Sequence, residues 1–328
     1  MFCGVGASDT ISLVSTPNPP NPMRSIQQQI RLSLLRALIA VDDTGSIRGA
    51  ARSLGLTQPA LTKNIAQLEA LIGSPIVQRG SSGTGLTDIG RALLGHARAI
   101  EAELRHAEEH VAQLTGQFVG QVTLGVSPSP ALSLVPHVLR KFRQRYPDVI
   151  LCLVEGFFHT HIPLLREGAM DLAVTNMSTT TEGYADMAMH PISRAELYIC
   201  ARRTHKLHGR AHRLADLGQE GWVNVSPPAS AMTSVEQIFV ARGLPRPKIA
   251  VQCNSVLSVS AVLAATDLLG MLPAPMFRAW ATTQLRALEI IDQLEPVPIV
   301  LVRRKATPLT PVASALATML EDEGAAAS

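Results

Sequence analysis

Four side chains in the run Gln58-Pro59-Ala60-Leu61-Thr62-Lys63 have the types and spacing to read a nucleic acid. The Gln58 carboxamide can bond adenine bidentately at N6 and N7, a pairing worth about 1–3 kcal/mol of discrimination. Pro59 offers an apolar edge to a thymine methyl. Thr62 and Lys63, one helical turn further, reach base edges or phosphate. Ser46 and Thr57 stand at expected helix N-termini, where hydroxyls and backbone amides suit phosphate oxygens. Arg48 and Arg79 are cationic partners for the backbone or the minor groove. Singly, each fits plain solvent exposure; together they point to base and phosphate contact.

Other constellations carry less. His106 and His110 share a helix face and read as solvated. His205, His208 and His212 lie in a basic loop with no carboxylate or Cys to complete a metal set, and read as surface residues. His159 and His161 flank the end of a strand, and one of them is a candidate cleft residue. Cys3, Cys152, Cys200 and Cys253 are far apart and three sit in apolar, strand-like runs, as reduced buried thiols do. A redox-sensing pair is the alternative. No Gly-x-Ser-x-Gly, phosphate loop or dinucleotide glycine pattern occurs. No catalytic residue, metal or cofactor is therefore assigned.

The elements needed to hold the first set are legible around it. Leu34, Leu35, Leu38 and Val41 share one face of a helix over Leu32–Asp43, ended by Gly45. Ser46 caps a helix over Ile47–Leu54 with Ala50 and Ala51 inward, small enough for a close helix crossing. Gly55 supplies the turn, Thr57 caps the third helix, and Pro59 fits its first turn. Leu61, Ile65 and Leu68 turn inward, leaving Gln58, Thr62, Lys63 and Gln67 outward. Ile76 to Arg79, the loop GSSGTG and Leu86-Thr87 form a small hairpin, or wing. A long helix from Asp88 to about Gly116 then carries Ile89, Leu93, Ala97, Ile100, Leu104, Ala107, Val111 and Leu114. Their spacing settles into alternating threes and fours, a narrow seam suited to a second helix.

Composition sets the bounds. With 328 residues and 46% apolar content the chain suits two or three domains, and 4% aromatics make their cores aliphatic. Eight basic and four acidic residues lie between Arg24 and Arg91, so this segment holds +4 of a chain whose net charge is +3. A basic module ahead of a neutral one suits phosphate contact at one end. The first ~22 residues, with STPNPPNP, are expected to be disordered, and Met23 is an alternative start. No secretory signal or membrane-spanning run is read, which implies a cytoplasmic protein. From Gly120 onward strands and helices alternate, which implies a largely parallel sheet covered on both sides, in one α/β domain or two lobes.

These residues resemble the LysR-type transcriptional regulators. The resemblance rests on Ser46, Ala50-Ala51, Leu54, Gln58-Pro59-Ala60, Leu68-Glu69, Arg79 and Leu86-Thr87-Asp88-Ile89-Gly90. Further on, LVPHVLRKFRQRYPDVIL resembles the family's helix-to-strand passage, and LREGAMDLAV its Gly-x-Leu-Asp-Leu-Ala-Ile segment, with Met170 replacing Leu. It covers about residues 30–322. Ile76-Val77 stands where Leu-Phe is usual, the loop after Arg79 is longer, and His205-Lys206-Leu207 replaces His-Pro-Leu.

The resemblance implies an α+β multidomain chain. A disordered extension (1–23) precedes a winged helix-turn-helix (24–87) and a linker, or dimerisation, helix (88–117). A two-lobed effector domain like a periplasmic binding protein follows over 119–328, with lobe 1 about 119–188 plus 305–325 and lobe 2 about 189–304. Ligands of such a fold sit near strand ends and helix N-termini. Ser127, Ser129, Phe157, Thr175 and Asn176 would then face Ser226, Ser230 and Asn254 across a cleft, although ordinary caps and turns use the same residues. Hydroxyls with helix-end amides favour a carboxylate or sulfonate, aromatic acids included. The expected partners are double-stranded promoter DNA, that small-molecule effector, and further copies of the chain as a homodimer or a homotetramer built as a dimer of dimers. The rival readings are a small-molecule-binding protein whose N-terminal module meets something other than DNA, and an α/β enzyme.

Overall fold

The computed structural model describes residues 29–80, 83–177, 183–225, 234–253, 255–280 and 284–326; the extension expected to be disordered lies outside them. Two compact units divide the chain between Glu101 and Ala102.

In the first unit, α1 (Leu32–Thr44), α2 (Ile47–Ser53) and α3 (Gln58–Ile72) pack mutually. Each joint follows a local signal. Gly45 closes α1 with a left-handed φ of 61° and an N–H bonded to the Val41 carbonyl. Ala50 and Ala51 are buried, so small residues fill the crossing. Gly55 turns the chain at φ 63°. Leu34, Leu38, Val41, Leu61, Ile65 and Leu68 form the aliphatic core, joined by Leu94 and Ala97 of the helix that follows. Strands β1 (Val77–Gly80) and β2 (Gly83–Leu86) pair antiparallel as the wing.

Two contacts fix the wing. The Glu69 carboxylate of α3 accepts from the backbone N–H of Ile76 at 3.0 Å and of Val77 at 3.3 Å. Thr87 donates to the Pro75 carbonyl and accepts from Gly90 N–H. The Leu-Thr-x-x-Gly motif follows from this packing, because a Cβ at Gly90 would stand 2.1 Å from the Ile76 carbonyl oxygen. Gly90→Ala is therefore expected to destabilise the chain by on the order of 3 kcal/mol, as overpacking against rigid backbone does. A melting curve of the full chain checks this; an unchanged midpoint would refute the close contact.

Helix α4 (Asp88–Leu114) is long, as expected. The second unit continues with β3 (Gly120–Val126), α5 (Pro128–Leu132), α6 (Leu134–Arg145), β4 (Val149–Glu155), α7 (Phe158–Arg166), β5 (Leu172–Asn176), β6 (Met187–Ala195) and β7 (Leu197–Arg202). After β8 (Ala211–His212) come β9 (Gly221–Val225), α8 (Ser234–Ala241), β10 (Lys248–Cys253), α9 (Val256–Ala265), β11 (Leu269–Pro273) and α10 (Ala274–Trp280). The last elements are β12 (Leu285–Ala287), β13 (Glu289–Ile290), β14 (Val297–Arg304) and α11 (Pro311–Ala326).

The strands form two five-stranded sheets of matching plan, β4-β3-β5-β14-β6 and β10-β9-β11-β7-β12. In each, three parallel strands are continued by two antiparallel ones. Central β5 is buried from Leu172 to Thr175, as a strand covered on both faces must be. The chain crosses between sheets at Glu196, between β6 and β7, and returns through residues 291–296. The lobe limits expected from sequence, 188/189 and 304/305, thus require correction: β6 and β14 both belong to the first sheet. Their antiparallel ladders join residues far apart in sequence, which local pattern does not mark. Likewise the single helix expected over 131–146 is two, broken at Ser133 (φ −112°, ψ −66°).

Candidate nucleic-acid interface and effector cleft

On α3 the expected readout residues lie together on the outer face. Gln58, Pro59, Thr62 and Lys63 are all exposed, and with Ala66 they line one open, shallow depression. Thr57 caps the helix, its hydroxyl accepting from Ala60 N–H at 3.4 Å, and Ser46 caps α2 by accepting from Gly49 N–H at 3.0 Å. The Thr62 hydroxyl donates to the Gln58 carbonyl at 2.9 Å, so its acceptor lone pairs and methyl group face outward. Arg48 is exposed. Arg79 lies on β1, in register with Thr84; its side chain is outside the described set.

The electrostatics of this unit favour an anion. Asp42 and Asp43 both hold Arg98 at 2.8 Å, Glu101 holds Arg36, Asp88 holds Arg91, and Glu69 is committed to the wing. Each exposed pair contributes little to stability. Their effect is to neutralise the acidic side chains locally. Among the described residues Arg48, Arg52 and Lys63 have no acidic partner, and Arg48 and Lys63 flank the capped helix starts.

In the second unit the carboxyl ends of β3, β5 and β4 lie side by side. Ser127 donates to Asn176 Oδ1 at 3.1 Å and accepts from Asn176 N–H at 3.0 Å. These two expected cleft residues therefore meet, with Ser127 acting as a brace between strands. Thr175 is buried and donates weakly to the Asn176 carbonyl at 3.4 Å. Phe157 ends the β4 loop and stacks on His159 with ring centroids 6.1 Å apart. Ser129 is fully buried on α5, which packs against both β5 and α10 of the other lobe. Ser226, Ser230 and Asn254 lie outside the described residues, so the opposing wall is not defined here.

Sequence reasoning did not assign the polar atoms left over. Ser129 Oγ, Asn176 Nδ2 and both ring nitrogens of His161 are buried with no hydrogen-bond partner. Burial holds the His161 imidazole down at about 4; the Val154 carbonyl pulls the other way without closing a hydrogen bond, and His159 adds a small opposing charge. A strand-end position was the available signal for His161, but its burial arises from tertiary packing.

Three further histidines differ from expectation. His106, read as solvated, is buried, with Nε2 2.8 Å from Asp171 Oδ1, a charge-pair distance without hydrogen-bond alignment. Asp171 in turn accepts from Thr123 N–H at 2.7 Å. The same helical turns dock on this lobe through Glu103 to Arg304 and through Gln113 to Val312 N–H. Burial raises the Glu109 carboxyl above its ordinary range, against a bond from the Gln121 backbone and the Arg105 charge. His205 and His212, read as surface residues, are also buried, their rings bonded to the Asp267 and Leu207 carbonyls. His208 bonds the Arg202 carbonyl, so all three rings serve the loop itself. Cys152, Cys200 and Cys253 are free thiols, and burial pushes Cys200 up to about 12, too high for ready thiolate chemistry.

A winged helix-turn-helix followed by two like-plan α/β lobes defines a DNA-binding regulator with a ligand-binding domain. Residues 32–91 match the model for the bacterial regulatory helix-turn-helix protein, lysR family, and residues 115–325 that for the LysR substrate binding domain. The chain belongs to the LysR family of transcriptional regulators; it is not an enzyme. It is 29% identical over 301 residues to the SDS degradation transcriptional activation protein of Pseudomonas sp. (strain ATCC 19151), covering 90% of this chain and 96% of that one. With the HTH-type transcriptional regulator CbbR of Rhodospirillum rubrum it shares 30% identity over 284 residues, covering 84% and 91%. The fold is also that of CbnR, a LysR family transcriptional regulator, with TM-score 0.67, 21% identity, and 90% and 99% coverage. CbnR complexed with its target DNA gives 0.66 at 22% identity, covering 90% and 100%.

Proposed function

We propose that this regulator reads promoter DNA through Gln58, Pro59, Thr62 and Lys63, with Ser46, Arg48, Thr57 and Arg79 on the phosphates or the minor groove. The observation that carries the reading is the depression on α3, lined by the residues whose chemistry suits base edges and held rigid by two hydroxyl caps. Support also comes from CbnR, whose structure with target DNA shares this fold. Promoter binding should weaken steeply with salt, with a slope of log K against log[salt] of about −0.9 for each phosphate neutralised. Gel shifts across a salt series measure it. A flat response would favour the rival reading, an N-terminal module that meets something other than DNA.

The finer assignments are that a small acid, a carboxylate or sulfonate, binds between the lobes, that two or four chains assemble through the α4 seam, and that the protein works in the cytoplasm. Neutral donors at three strand ends support the first. For the second, Ile100, Leu104, Val111 and Leu114 are exposed at 43%, 37%, 63% and 71%, and with Ala107 they continue the alternating spacing. No described helix is long and apolar enough to cross a membrane. A ligand acts only if it binds two arrangements of the lobes unequally.

A further inference from the structure

We propose that the His161 ring, with Ser129 Oγ and the Asn176 amide, forms an inner subsite of the cleft that takes the acid group of the effector. The assignment rests on the anionic-effector reading above and adds to it one residue and one proton.

The geometry places these groups together. Ser127, Gly156 and Asn176 end the three neighbouring strands. They are tied by the Ser127–Asn176 bonds and by Gly156 N–H to the Val126 carbonyl. Ser129 follows Ser127 by two residues. His161 lies against Gly156, where a Cβ would come 2.9 Å from Nε2. Its own N–H caps back to Phe157, so the ring belongs to the rigid first turn of α7. Ser129 is 0% exposed and His161 1%. Buried polar atoms normally find partners, and here Ser129 Oγ, Asn176 Nδ2 and the His161 nitrogens converge on one end of one sheet without any.

Such a set suits an acid better than an alcohol or an amine. Ser129 and Asn176 each donate. The imidazole, kept neutral by burial, can donate from one nitrogen and gain a proton on the other. Set against a carboxylate or sulfonate, the ring takes one proton from bulk water onto nitrogen, and the ion pair so formed is a charge-assisted hydrogen bond. Titratable groups on the elements around the ring are few. His159 shares α7, Glu155 ends β4, β5 carries none, and Arg303 of β14 pairs with Leu172, at the far end of β5 from Asn176.

The test uses the full chain with labelled histidine, the His161 ring signals being assigned from H161Q. Acetate, succinate, benzoate, methanesulfonate and benzenesulfonate are titrated by thermal shift and NMR. An acid that raises the melting temperature should move the His161 signals to the charged form. Its affinity should tighten with falling pH, by up to about tenfold per unit, and H161Q should lose both the pH dependence and about tenfold in affinity. S129A should weaken the same acid, which keeps the test alive if H161Q fails to fold. An acid that stabilises the chain while leaving His161 unmoved, and binds S129A as tightly, overturns the subsite but not the anionic effector. If no acid in the panel stabilises the chain, the anionic reading falls and the subsite with it.

Discussion

Glutamate at both Leu104 and Val111 is expected to turn the assembled regulator into single chains and to weaken promoter binding by about 10²–10⁴-fold. The large factor comes from geometry. One helix-turn-helix makes few base contacts, and affinity multiplies when two modules on one axis meet two half-sites. The seam supplies that axis in the proposed assembly. Val111 and Leu114 expose 63% and 71% of their surface in the single chain, so a carboxylate there disturbs little of the chain's own packing. Burying an apolar side chain of this size is worth about 1.5–3 kcal/mol, and opposing carboxylates across a closed seam reverse that gain. The melting of each chain should change by about 0.5 kcal/mol or less, as for other surface substitutions. Sedimentation and promoter titration read both effects. A double variant that keeps its assembly state removes the seam from the account.

How much of this was legible beforehand depends on the range of the signal. The DNA-reading helix was written locally: Thr57 as cap, Pro59 in the first turn, Gly55 before it, and Leu61, Ile65 and Leu68 at helical spacing. Each acts within a few residues, so order and type suffice. The wing was legible as a hairpin, but not the Glu69 carboxylate that fastens it, because that bond spans seven residues of irregular backbone. In the second unit the alternation of strands and helices was clear, whereas the lobe limits were not. Strand β14 joins the first sheet by pairing with β5 and β6, contacts made over more than a hundred residues. The histidines show the same divide. His106 meets Asp171 only after the helix folds back on the lobe, and His161 becomes buried only when α7 lies on β5 and β14. Sequence gives the residue type and its place on an element; burial, and the chemistry burial imposes, belongs to the fold.

Gln58→Ala should erase operator preference while leaving the chain folded and assembled. Gln58 is exposed at the first position of α3, where its side chain packs against nothing the core needs, so the melting temperature should hold. The loss falls on discrimination: a bidentate amide–adenine pair is worth about 1–3 kcal/mol, or roughly 5- to 150-fold for each helix seated in a groove. Non-specific affinity and its salt dependence should persist, since those come from phosphate contacts that the amide does not make. Lys63→Ala should behave in the opposite sense, weakening binding to all sequences alike and lowering the salt slope by about one. Competition gel shifts with promoter and scrambled DNA separate the two patterns. If the Gln58→Ala chain still prefers its promoter over scrambled DNA, the amide is not what reads the bases, and readout must be sought in Thr62, in Lys63 or in the shape of the duplex.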